Sequence, residues 1–157
     1  MSDEGNKMDE LITLHRYFIW ANRMREHFDN TLTDPKRIAE SKKEASKYYR
    51  IFFADDPGIF MSYWYGGLYV VIEGWKKLGF HDPDIDYLIN SPNVVLLRRY
   101  RNGAFHFQKD YFDKRFQEFW QEQGTVAWVR ELNKKFSDFF LRELSKEKNP
   151  TMKLSVC

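Results

Sequence analysis

An all-α bundle is the fold class the sequence predicts, and three observations predict it. Apolar residues recur at spacings of three and four along most of the chain, which gathers them on one face of a helix. Helix-start signals stand at Asp34-Pro35, Asp56-Pro57 and Ser91-Pro92, where a polar cap precedes a proline that suits the first turn. The run richest in strand propensity, Val70-Val71-Ile72, lies inside a long apolar stretch and has no partner strand elsewhere. The expectation is a single bundle of about five to seven helices over residues 8–146, with flexible tails at 1–7 and 147–157.

The elements follow in order. From Met8, the residues Leu11, Leu14, Phe18, Ala21, Met24 and Phe28 form a helical stripe that ends near Asn30, with Asp9 and Glu10 suiting its first turn. A second helix, 35–54, starts at Asp34-Pro35 and is polar until Tyr48, Tyr49, Ile51, Phe52 and Phe53. Asp56 caps the third, 58–78, the most apolar segment. There Gly66, Gly67 and Gly74 weaken the helix and so point to close packing, and Gly79 ends it. A short helix follows at 84–90, then 92–107 capped by Ser91, then 109–122, then 125–146 capped by Thr125.

Composition narrows the function classes. The aromatic share of 18% is high, so rings build much of the core and a small bundle needs no disulfides. Cys157 is the one cysteine, which rules out an internal disulfide and a cysteine metal site and fits a reducing, cytoplasmic setting. Ile59 to Ile72 is the longest apolar run and falls short of the roughly 18–20 residues a membrane span needs, so no membrane role is expected. Net charge is only +2. Pro92 to Phe116, however, concentrates Arg98, Arg99, Arg101, Lys109, Lys114 and Arg115 against Asp110 and Asp113. Such a patch suits either a phosphate backbone or a solvated helix face.

The chemistry-bearing segment is Arg101-Asn102-Gly103-Ala104-Phe105-His106. Phosphodiester cleavage needs a cation on the non-bridging oxygens, a group that moves a proton near neutral pH, and a polar side chain to orient them. Arg101, His106 and Asn102 supply these three types. On a continuous helix Asn102 and His106 share a face, while Arg101 and His106 point about 140° apart. They would flank a groove, and a second copy across a two-fold axis would complete the site. By residue type alone, His106 between Phe105 and Phe107 also suits a packed or interface histidine.

Leu97-Arg98-Arg99-Tyr100-Arg101-Asn102-Gly103-Ala104-Phe105-His106-Phe107 resembles the motif helix of the HEPN superfamily. These are small helical bundles with an Arg-x4-6-His motif late in the chain, usually with a polar residue after the Arg. The resemblance implies metal-independent RNA cleavage by a homodimer, with no cofactor: the 2′-hydroxyl attacks the adjacent phosphate and leaves a 2′,3′-cyclic phosphate and a 5′-hydroxyl. It implies that His106 moves the proton, Arg101 stabilises the phosphorane and Asn102 orients one of them. Toxin or phage-defence roles, with an antitoxin or nucleotidyltransferase partner, belong to the same resemblance, as does a non-catalytic module binding RNA, a nucleotide or a partner protein. Arg98, Arg99, Lys109 and Arg115 are the candidate RNA-binding residues, with a solvated face as the other reading of Lys109 and Arg115.

The other polar candidates carry less. Glu73 interrupts an apolar run, which suits either a polar site or, as the expected reading, a solvent-facing position. His15, His27 and His81 lack a partner at metal-ligand spacing, so no metal is expected. Tyr17 to Arg23 is similar to DinB-type metal bundles, but the later histidine pair of that family is missing. There is no glycine-rich phosphate loop and no Gly-x-Ser-x-Gly elbow.

Overall fold

Long apolar stripes become long helices. The structure, a computed structural model, describes residues 3–147. Within them the chain runs α1 (Asp3–Thr33), α2 (Pro35–Lys43), α3 (Ala45–Ile51), a 3-10 turn (Phe52–Ala54), α4 (Asp56–Leu78), α5 (Pro83–Ile89), α6 (Asn93–Phe105), α7 (Lys114–Gln121) and α8 (Thr125–Glu147), with no strand among the described residues. The all-α class therefore holds, and the helix count is one above the expected range. Residues 3–7, expected as a tail, belong to α1. The tail expected at 147–157 lies outside the described residues beyond Glu147.

The extra helix arises where the predicted 35–54 segment breaks. Glu44 leaves helical geometry at φ −135° and ψ 54°. Neither α2 nor α3 buries any residue, so no core contact holds the two as one rod, and short helices are marginal without one. Arg37 anchors α2 instead, donating to Asp55 at 2.7 Å and to Asp56 at 3.1 Å.

Capping follows the sequence in part. Asp34 accepts from the Lys36 amide, and Gly79 ends α4 at φ 66°. At α4 the cap is Asp55 rather than Asp56, accepting from the Asp56 amide at 2.9 Å. Ser91 Oγ accepts from the Asn93 amide at 3.2 Å, and Pro92 sits just outside α6. Thr125 does not cap α8. It is buried, with its hydroxyl 2.6 Å from the Phe119 carbonyl and 2.9 Å from that of Glu122, so it fastens the end of α7.

Packing is centred on α4. On one side α1 lies against it, where a Cβ on Gly67 would come within 3.0 Å of Ala21 and one on Gly74 would strike Leu14. The two glycines lie seven apart on one face and let the axes approach. On the other side α6 packs on α4 and α7 on α6. Val129, Leu132, Phe136 and Phe140 of α8 complete a core around Trp64, Leu68, Ile72 and Trp75. Among the described residues its buried polar side-chain atoms are satisfied: Trp64 Nε1 donates to Asn133 at 2.9 Å, and Asn133 donates to Asn22 at 2.9 Å. Such a chain fixes the relative rotation of α1, α4 and α8. Among the described residues, no helix is long and apolar enough to cross a membrane.

Candidate functional site

Three buried residues, Leu97, Tyr100 and Gly103, turn one face of α6 inward. A Cβ on Gly103 would press on the Phe116 ring at 3.0 Å, so this glycine lets α7 seat closely. Arg98 and Arg101 are left toward the outside, exposed and half-buried respectively. The helix stops at Phe105, and His106 has extended backbone at φ −120° and ψ 132° while its amide still donates to the Asn102 carbonyl at 3.1 Å. The helix expected to continue to residue 107 therefore ends two residues early. His106 leaves the helix axis and its side chain is exposed.

That departure brings Arg101 and His106 to one cleft of about 410 Å³, walled by Tyr17, Trp20 and Met24 of α1 and by Tyr63 and Phe105. Arg101 is held from three sides. Its Nη1 donates to Asn102 Oδ1 at 2.9 Å, its guanidinium carbon lies 5.8 Å from the Tyr69 ring centre, and Nη2 is 4.0 Å from Glu73 Oε2. Burial, and after it the charge of Glu73, raises the Tyr69 hydroxyl above its ordinary value, so it remains a neutral donor. Glu73 is solvent-facing as expected, yet it also reaches the rim of the site.

His106 also borders a second cleft of about 410 Å³ on the far side of Phe105 and Tyr63. These two rings meet edge to face at 5.5 Å and partition the clefts. Gly66 makes room for the partition, since a Cβ there would overlap Phe105.

The loop after α6 replaces the first turn of the helix expected at 109–122. Asp113 accepts from the Arg115 amide at 2.9 Å and so starts α7 only at Lys114. Gln108 braces the loop, donating to the His106 carbonyl at 2.9 Å and accepting from Arg115 at 2.9 Å. Arg115 is thus engaged with Gln108 and Asp113. Arg99 makes a two-pronged pair with Glu118 at 2.6 and 3.1 Å, and hydrogen bonding from Arg99 holds the Glu118 carboxyl below its ordinary value. Of the four candidate RNA contacts, Arg98 and Lys109 are exposed, while Arg99 and Arg115 are committed within the chain.

Sequence reasoning missed Trp20, Tyr63, Phe105 and Gln108 as site residues. The one available signal was Phe105 beside His106, together with a glycine pair in the helix it packs on. The other histidines lie elsewhere: His15 packs at a tilt against Phe140, with burial lowering its pKa, His27 stacks on Phe60, and His81 meets Asp86 at 3.1 Å. Among the described residues, no three His, Cys, Asp or Glu side chains converge to hold a metal ion. Comparison with family models, curated proteins and solved structures finds no match to this chain.

Proposed function

We propose that this chain is a HEPN-like endoribonuclease, acting as a homodimer on RNA without a metal, in a toxin or phage-defence setting. The observation that carries the reading is the shared cleft: Arg101, held by Asn102, and His106 both line it and both reach solvent. His106 takes the 2′-hydroxyl proton, or returns one to the 5′-oxygen as the P–O5′ bond breaks. Arg101 neutralises charge on the phosphorane. Support for the dimer comes from α1, which leaves Ile12, Ile19 and Trp20 exposed, with Trp20 lining the cleft.

Binding without cleavage is the second reading, and Glu73 favours it, because its carboxylate at 4.0 Å competes with a phosphate for Arg101. Incubation with single-stranded RNA in EDTA distinguishes the two. The expected result is cleavage that persists on chelation, yields 5′-hydroxyl ends, and falls at least about 100-fold in Arg101→Ala and in His106→Ala. RNA binding with intact substrate would establish the second reading, and activity lost on chelation would overturn the metal-independent mechanism.

A further inference from the structure

We infer that the second cleft, between the α6–α7 loop and the start of α4, is a subsite for an unstacked guanine of the RNA, read by Asp110. The inference deepens the ribonuclease reading and rests on it for the phosphate beside His106. Four rings rim this cleft and stand well out of the core: Tyr63 is 55% exposed, Phe105 49%, Phe107 96% and Tyr111 47%. Exposed rings around a concavity offer π-faces to a flat ligand, and stacking on such faces is how proteins hold single-stranded bases. The cleft volume of about 410 Å³ falls in the range of small-ligand sites. His106 borders both clefts, so a nucleotide with its base here presents its phosphate toward His106.

The polar groups of the cleft select the base. Ser62 Oγ is already hydrogen-bonded to the Tyr100 hydroxyl at 3.0 Å. Gln108 uses both ends of its amide on His106 and Arg115. Among the described residues, Asp110 is the one carboxylate lining the cleft, and it is exposed. An ionised carboxylate offers two adjacent acceptors and no donor. Guanine alone presents two adjacent donors, N1–H and N2–H, on its pairing edge. Adenine and cytosine place a ring-nitrogen lone pair beside a single amino group, and uracil flanks its one N–H with carbonyls. Each of these three turns an acceptor against a carboxylate oxygen.

Isothermal titration of the full chain with 3′-GMP, 3′-AMP, 3′-CMP and 3′-UMP tests this without any turnover. The expected result is 3′-GMP binding at least about tenfold tighter than the others. Asp110→Asn and Asp110→Ser should each remove that preference and leave the other three affinities unchanged, with thermal melts confirming the fold. Phe107→Ala should weaken all four nucleotides alike. Equal affinities, no binding of any nucleotide at millimolar concentration, or a preference that survives in both Asp110 variants would overturn the subsite. The two readings separate cleanly. RNA cleavage without guanine preference sinks the subsite alone, whereas guanine-selective binding without cleavage keeps the subsite and removes the ribonuclease.

Discussion

At the scale of single residues, two glycines of α4 carry opposite consequences. The atoms nearest a Cβ on Gly66 would all belong to the Phe105 ring, a side chain that is half exposed. Replacing a helical glycine by alanine favours the helix by up to about 1 kcal/mol, and displacing Phe105 offsets part of that gain. Gly66→Ala should therefore leave the melting temperature within a few degrees of wild type while moving the partition between the two clefts and lowering RNA cleavage. Gly58 is the contrast. A Cβ there would strike the carbonyl and Cα of the 3-10 turn at Phe52 and Phe53, which are backbone atoms with no rotamer to escape into. Gly58→Ala should cost about 1–3 kcal/mol, read by chemical denaturation. A Gly66→Ala protein that loses as much stability as Gly58→Ala would show that Phe105 is locked rather than yielding.

At the scale of elements, helix ends decide where side chains point. Asp82 shows how much one end can carry. It caps α5 through the amides of Asp84 and Ile85 and receives Arg142 of α8 at 2.9 Å. Burial alone would raise its carboxyl, but the Ile85 amide, Arg142 and the Asp84 amide outweigh burial and hold it below the ordinary value. A depressed folded-state pKa contributes stability that is fully present above the unfolded value, near 4, and is lost as pH falls through the folded value. Asp82→Ala should destabilise by about 1–2 kcal/mol at neutral pH, and the gap from wild type should narrow below about pH 4 in denaturant titrations. A gap independent of pH would remove the carboxylate from the account. The same logic explains what could be read from the sequence. The helices at α1, α4 and α8 were legible because their apolar spacing reports burial directly. The break at Glu44 was not, because α2 and α3 bury nothing and leave no periodic signal. For the site, residue identities at Arg101, Asn102 and His106 were legible, but their geometry was not. His106 leaves the helix where Gln108, itself held by Arg115, fastens its carbonyl, and a tertiary brace of that kind has no spacing to read.

At the scale of the whole molecule, the question is which chain's arginine serves which chain's histidine. Within one chain Arg101 and His106 already line one cleft, so a site contained in a single protomer is one arrangement to test. The homodimer proposal makes a different demand: the exposed apolar residues Ile12, Ile19 and Trp20 of α1 bring a second copy alongside, and the Arg101 of one copy works with the His106 of the other. Mixing two dead variants decides between them. In a heterodimer of Arg101→Ala with His106→Ala, a shared arrangement leaves one site of two with both groups intact. Random exchange makes half of the dimers heterodimers, so the mixture should recover about one quarter of wild-type activity. A site built within one chain recovers none, because every chain lacks one of its two groups. Sedimentation of the same samples supplies the control. Dimers that form and exchange yet restore nothing would reject the shared pairing, and a stable monomer that cleaves RNA would reject the dimer altogether.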